Sequence, residues 1–206
     1  MMNKNFIGLC VLMLAFIGTN GCQRAPADLS TAPLAGARIG GDFSLIDQDG
    51  RHVSDRDMVG KFRIMYFGYT FCPDACPTDM QQLMAGFRQF ERNDPKASAK
   101  VQPIFISIDP ARDTPARLKT FVNAFHPRLM GLTGTEADVA AVAKRFAVVY
   151  QKVPAGNGQY LVDHSRWAML LGPEGQPIMF LSVGKSTLAG DGTPAKIAGE
   201  LSTWVR

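Results

Sequence analysis

Residues 62–90, "FRIMYFGYTFCPDACPTDMQQLMAGFRQF", decide the fold. The stretch from Phe62 to Tyr69 is strongly apolar, as a strand covered on both faces must be. After Pro77 the period changes. Met80, Leu83, Met84, Phe87 and Phe90 recur at helical spacing. Proline has no N–H to lose, so Pro77 suits the first helical position, and the spacing predicts a helix from there to about Arg92. Between strand and helix stand Cys72 and Cys76, each followed by a proline.

The same alternation continues in both directions. Upstream, "DFSLID" (42–47) and "RHVSD" (51–55) flank "QDG" and predict a hairpin. Downstream, "PIFISID" (103–109) predicts a second apolar strand. Thr114 and Pro115 then open a helix that buries Leu118, Phe121, Val122 and Phe125. A third helix starts near Thr135, where Asp138 completes a capping box and Val139, Val142, Ala143 and Phe146 turn inward. Strands are expected at about 148–153, 159–163, 167–171 and 178–183, and Thr193–Pro194 open a last helix presenting Ile197, Leu201 and Trp204. This is one α/β domain over residues 39–206, long enough to bury a core without disulfides.

At the amino end, Lys4 precedes the apolar run "FIGLCVLMLAFIG", and residues 1–21 read as a signal peptide cleaved before Cys22. Thirteen residues fall short of the roughly 20 that a spanning helix needs, so an uncleaved anchor is the alternative. Cys22 after Gly21 resembles a lipidated cysteine, although Thr19 and Asn20 depart from the usual pattern. Residues 22–38 are rich in Ala and Pro without an apolar period and read as a flexible tether, able to reach roughly 50 Å when extended. The net charge is +4, with lysines and arginines scattered among acids, which gives nucleic-acid binding no support.

The cysteines lie at the carboxyl end of a strand and at a helix amino terminus, where free N–H groups favour thiolate over thiol. If the segment is near helical, positions i and i+4 hold their Cβ atoms about 5–6 Å apart, wider than the roughly 3.5–4.5 Å of a disulfide. Metal–sulfur bonds of about 2.3 Å bridge that gap, so the pair suits a metal and, after adjustment of the loop, a disulfide. Of the three histidines, His52 in the hairpin and His126 beside Pro127 read as solvated surface residues. His164 stands at the carboxyl end of a strand, on the edge where open α/β sheets place ligands.

Should Cys72, Cys76 and His164 meet, two soft thiolates and one imidazole suit three-coordinate Cu(I), and Cu(II) with an added ligand; copper is favoured over zinc. Asp163 falls on the opposite strand face from His164 and is expected outside the ligand set, orienting the loop. Met80 and Met84 follow Cys76 at four-residue steps and read as core.

Four segments, "GYTFCPDACP" (68–77), "ISIDPARDTP" (106–115), "GLTGTE" (131–136) and "YLVDHS" (160–165), resemble in that order the motifs of the Sco (SenC) family. The likeness covers nearly all of residues 40–206, with Ala75 in place of a commonly larger apolar residue. The resemblance implies a thioredoxin-like fold with an added β-hairpin, and a copper site of Cys72, Cys76 and His164. It implies a copper chaperone that delivers to the CuA site of cytochrome c oxidase. Asp109 or Asp113 would set the loop or the partner surface. Partners implied are the CuA-bearing subunit and a copper donor or thiol reductant. The domain would sit on the extracytoplasmic, periplasmic side, held to the membrane by its N-terminal lipid or anchor.

The alternative is a thiol–disulfide oxidoreductase in which Cys72 and Cys76 keep cysteines of the oxidase or another exported protein reduced. Against it, Ala155–Gly172 contains no proline where thioredoxin-like enzymes place one facing the active site, and His164 occupies that stretch.

Overall fold

The computed structural model describes residues 25–186 and 190–206. In chain order the elements are β1 (Ser44–Asp47), β2 (His52–Ser54), β3 (Phe62–Gly68), α1 (Ala75–Asn93), α2 (Pro95–Ser98), β4 (Val101–Ser107), α3 (Pro115–Phe125), β5 (Met130–Thr133) and α4 (Glu136–Arg145). Then come β6 (Tyr150–Gly156), β7 (Gln159–His164), β8 (Ala168–Leu171), β9 (Pro177–Leu181), β10 (Lys185–Ser186), β11 (Gly190–Asp191) and α5 (Pro194–Trp204). Seven strands form one sheet in the order β2-β1-β5-β4-β3-β8-β9, while β6 and β7 make a separate hairpin.

Strands β3, β4 and β5 are parallel, and the outer strands join them antiparallel. Every residue of β3 is buried because helices cover both faces of the sheet. Tyr66 stacks with Phe105 of β4, which meets Phe121 of α3, and the Tyr66 hydroxyl reaches α1. The next residue, Phe67, points the other way and packs on Phe146 at the end of α4. Fully burying side chains such as Phe87, Phe90 and Phe105 contributes roughly 1.5–3 kcal/mol each.

The helix starts follow the expected chemistry. Thr114, Thr135 and Thr193 each accept a backbone N–H from the first turn they precede, and Thr135 with Asp138 closes a capping box. These caps hold α3, α4 and α5 with their apolar stripes against the sheet. The expected thioredoxin-like α/β architecture is present, and the extra hairpin is β6–β7, standing clear of the sheet with His164 at its last position.

Several local expectations are corrected. Helix α1 starts at Ala75, two residues before Pro77, so Cys76 lies inside its first turn. Strand β5 is a further element that the sequence does not signal: four residues carry too little periodicity, and the strand exists because β4 and β1 flank it. Within the supposed tether, Leu29–Thr31 form a 3-10 turn capped by Asp28, Ala32 is buried, and the Leu34 N–H donates to Ile178 O at 2.9 Å. Leu29, Ala32 and Leu34 supply the apolar contacts that hold this segment down, and composition does not reveal such spacing.

His126 is 3% exposed, not solvated. Its Nε2 lies 3.0 Å from Glu91 Oε2, and its Nδ1 accepts the Arg128 N–H at 3.1 Å, so a buried imidazole has both nitrogens satisfied. His52 is exposed, as expected. The proposed signal peptide, Cys10 and Cys22 lie outside the described residues. No helix among the described residues is long and apolar enough to cross a membrane.

Candidate metal centre

The carboxyl end of β3 and the amino end of α1 bring Cys72 and Cys76 together; β7, 88 residues beyond Cys76, brings His164. The two Sγ atoms and one imidazole nitrogen all lie within 4.8 Å of one another. Both cysteines are free; Cys76 is buried and Cys72 half-buried. Cys72 is not on the helix. Its Sγ accepts the Cys76 backbone N–H at 3.3 Å, so the sulfur occupies the place of a helix cap.

That position sets the protonation of the pair. A hydrogen bond from the Cys76 thiol, with help from His164 and the backbone N–H groups of Cys76 and Asp74, lowers the Cys72 pKa to about 3. Cys76 moves the opposite way, because it gives its hydrogen bond to Cys72 and because it is buried. One proton is therefore shared by two sulfurs, with the charge residing on the outer one. His164 Nδ1 lies 2.9 Å from Ser165 O, which can only accept, so the ring proton sits on Nδ1. Nε2 faces the sulfurs, 3.2 Å from Cys76 Sγ, and becomes a ligand when it presents its lone pair to a metal ion.

A trigonal ion with bonds of about 2.3 Å to sulfur and about 2.0 Å to nitrogen requires roughly 4.0 Å between sulfurs and roughly 3.7 Å from sulfur to nitrogen. The cluster thus needs an opening of about half an ångström between Cys76 and His164 to admit a metal ion. Tyr66 and Tyr69 meet the imidazole edge-on, with centroids 6.3 and 6.1 Å from it, and so limit its swing. The soft donor set fits copper better than a hard cation.

Three carboxylates tie the ligand-bearing segments to the sheet. Asp113 accepts from the Thr70 N–H (3.0 Å), Thr70 Oγ1 (2.6 Å) and Ser107 Oγ (2.6 Å), which fixes the loop two residues before Cys72. Burial outweighs these bonds and moves its carboxyl above the usual range. Asp109 serves the other arm: it accepts from the Tyr160 hydroxyl at 2.7 Å and pairs with Arg112, whose Nη1 donates to Tyr160 O at 2.9 Å. The choice left open between Asp109 and Asp113 resolves into two tasks, one per arm.

The third carboxylate, Asp79, is not among the residues that the sequence motifs single out. Asp79 is fully buried one turn after Cys76 and accepts from the Tyr66 hydroxyl (2.8 Å) and from Arg166 Nη2 (2.8 Å) and Nε (3.2 Å). Arg166 follows His164 by two residues, so this pair ties the histidine arm directly to the helix of Cys76. The available signal was an acid on the apolar face of a helix, three positions after Cys76. A Cβ on Gly184 would collide with Asp79 Oδ1, and its φ of +55° suits glycine.

Gly68 is equally constrained, since a Cβ there would lie 3.0 Å from Cys76 Sγ and 2.9 Å from the Tyr66 ring. Asp163 is exposed on the strand face away from His164, outside the cluster as expected. Met80 and Met84 are fully buried core residues. Tyr69 couples the two arms as well, accepting the Val162 N–H of β7 at 3.1 Å.

The SCO1/SenC family model matches residues 31–198. Among curated proteins, the chain is 43% identical over 143 residues to "Protein SCO1 homolog 1, mitochondrial" of Arabidopsis thaliana, covering 69% of this chain and 42% of that protein. It is 34% identical over 187 residues to the "SCO2-like protein" of Rickettsia felis, covering 85% of this chain and 89% of that one. The chain spans about half the length of the mitochondrial relatives it matches. Among solved structures, Bradyrhizobium japonicum ScoI with copper bound is 36% identical with a TM-score of 0.70, covering 81% of this chain and 99% of that one.

Proposed function

The chain belongs to the SCO1/SenC family, and on that premise we propose that it carries one copper ion on Cys72, Cys76 and His164 and delivers it to the CuA centre of cytochrome c oxidase. The observation that supports this most is the convergence of two sulfurs and one imidazole nitrogen within 4.8 Å, on arms separately tied to the sheet. Relatives of the same family bind copper, among them the ScoI of Bradyrhizobium japonicum.

Loading is ligand exchange. Cys72, half-buried and already a thiolate, meets the ion first; Cys76 follows as it gives up the shared proton, and His164 closes the set through Nε2. Delivery also begins at Cys72, the more accessible sulfur and the first that an incoming thiolate displaces. The oxidation state of copper is unchanged throughout, so no external reductant is needed.

Dithiol exchange as the main role draws less support. The accessible sulfur is the one with the lowest proton affinity, and thiolates of low proton affinity are weak attacking groups at neutral pH. Residues 1–21 as a signal peptide and attachment at Cys22 complete the proposal, keeping the domain on the extracytoplasmic face of the membrane that holds the oxidase, where local concentration favours encounter.

Anaerobic titration of the reduced protein with Cu(I), followed by sulfur- and copper-edge absorption, tests the site. The expected result is one copper per chain with two sulfurs and one nitrogen, and His164→Ala loses the nitrogen and weakens binding at least tenfold. A complex of unchanged affinity in His164→Ala refutes the ligand set.

A further inference from the structure

Phe71 immediately precedes Cys72, is 39% exposed, and is one of few large apolar side chains so exposed among the described residues. Two guanidinium groups lie over its ring, Arg117 at 3.7 Å and Arg112 at 4.7 Å from the centroid. The ring is thus held in place while still presenting apolar surface, which lowers the entropy lost when a partner packs on it. Beside it, Thr70, Ala116, Arg117, Thr120 and Phe121 line an open hollow of about 450 Å³ on α3.

The cations near this face differ in one respect. Arg112 pairs with Asp109, Lys119 with Asp49, Lys152 with Glu136 and Arg166 with Asp79. Arg117 has no carboxylate partner among the described residues. Its Nε donates to Thr70 Oγ1 at 2.9 Å, and its two terminal nitrogens make no hydrogen bond among the described residues. The one exposed acid of the cysteine loop, Asp74, lies on the α1 side.

We propose that Phe71, Arg117 and the α3 hollow form the docking surface for the copper acceptor, a protein that presents a carboxylate to Arg117 and an apolar side chain to Phe71 and the hollow. This rests on the delivery reading above and deepens it, since it says which side of Cys72 the acceptor approaches. A guanidinium stacked on an aromatic ring at the edge of a reactive site has the composition of an interface hot spot. The unpaired charge supplies attraction and register, and the exposed ring supplies contact area. Docking there places the acceptor against the half-buried Cys72 sulfur, not against the buried Cys76.

The test measures copper transfer from the full-length Cu(I)-loaded protein to two acceptors, an apo CuA domain of a cytochrome c oxidase and the small chelator bicinchoninate. Four proteins are compared: wild type, Arg117→Glu, Phe71→Ser and Lys96→Glu, the last an equal charge change at an exposed position on α2. Arg117→Glu is expected to slow transfer to the CuA domain about tenfold and to abolish its salt dependence, with Phe71→Ser slowing it severalfold. Transfer to bicinchoninate, copper stoichiometry and Lys96→Glu remain at wild-type values. Equal rates to the CuA domain for Arg117→Glu and wild type overturn the docking surface and leave delivery standing. Wild-type protein that feeds bicinchoninate and not the CuA domain overturns delivery, and the assignment of the occupant with it.

Discussion

Replacing Arg166 by alanine separates an ion pair that stabilises the fold from one that also positions a ligand. Asp79 is fully buried, and its two bonds from Arg166 are 2.8 and 3.2 Å long. Removing one partner of a fully buried pair costs about 3–5 kcal/mol. The Arg166 side chain, however, is 45% exposed, so solvent screening lowers the figure. Asp79 also keeps the Tyr66 hydroxyl. The loss of a charge-assisted hydrogen bond, about 2 kcal/mol, is the appropriate magnitude.

For a domain of this size that corresponds to a fall in Tm of roughly 4–8 °C in the apo protein. Arg166→Lys, which keeps charge but loses the paired donors, recovers about half of it. Chelator competition supplies the second measurement. Since Arg166 holds the segment after His164 against the helix of Cys76, copper affinity falls about tenfold in Arg166→Ala, and this further loss vanishes in a His164→Ala background. A lowered Tm with unchanged affinity refutes the positioning role and leaves a purely structural pair.

Further outcomes follow from the same geometry. Gly68→Ala forces a methyl against Cys76 Sγ and the Tyr66 ring, and is expected to weaken copper binding while leaving far-ultraviolet circular dichroism unchanged. Thiolate absorbance near 240 nm in the reduced apo protein corresponds to one of the two cysteines across pH 5–8, with the second appearing only above the ordinary thiol range. The signs agree: lowering of the Cys72 pKa contributes stability that is lost as pH falls from 9.0 toward about 3, and raising of the Cys76 pKa contributes stability that is lost as pH rises beyond its ordinary value. Copper loading at pH 8 accordingly releases about one proton from the sulfur pair, measurable by calorimetry in buffers of different ionisation enthalpy. Tyr160→Phe removes one bond to Asp109, costs about 1 kcal/mol, and increases hydrogen exchange in β6–β7 before any other element.

The amino-acid sequence by itself determined the features that depend on near neighbours. The apolar run of β3, the threonine caps of α3, α4 and α5 and the period of α1 each express an energy that operates within a few residues, and each is found in place. The closeness of Cys72 and Cys76 is local for the same reason. The tertiary structure alone decided what joins distant segments. His164 reaches Cys76 across 88 residues, because β8 pairs antiparallel with β3 and carries the preceding hairpin back to the carboxyl end of the sheet. The burial of His126 depended on Glu91 and Arg128, and the four residues of β5 became a strand only between two others. Asp79 shows the limit most directly: on its helix it is an acid on an apolar face, and only the approach of Arg166 and Tyr66 makes that burial affordable.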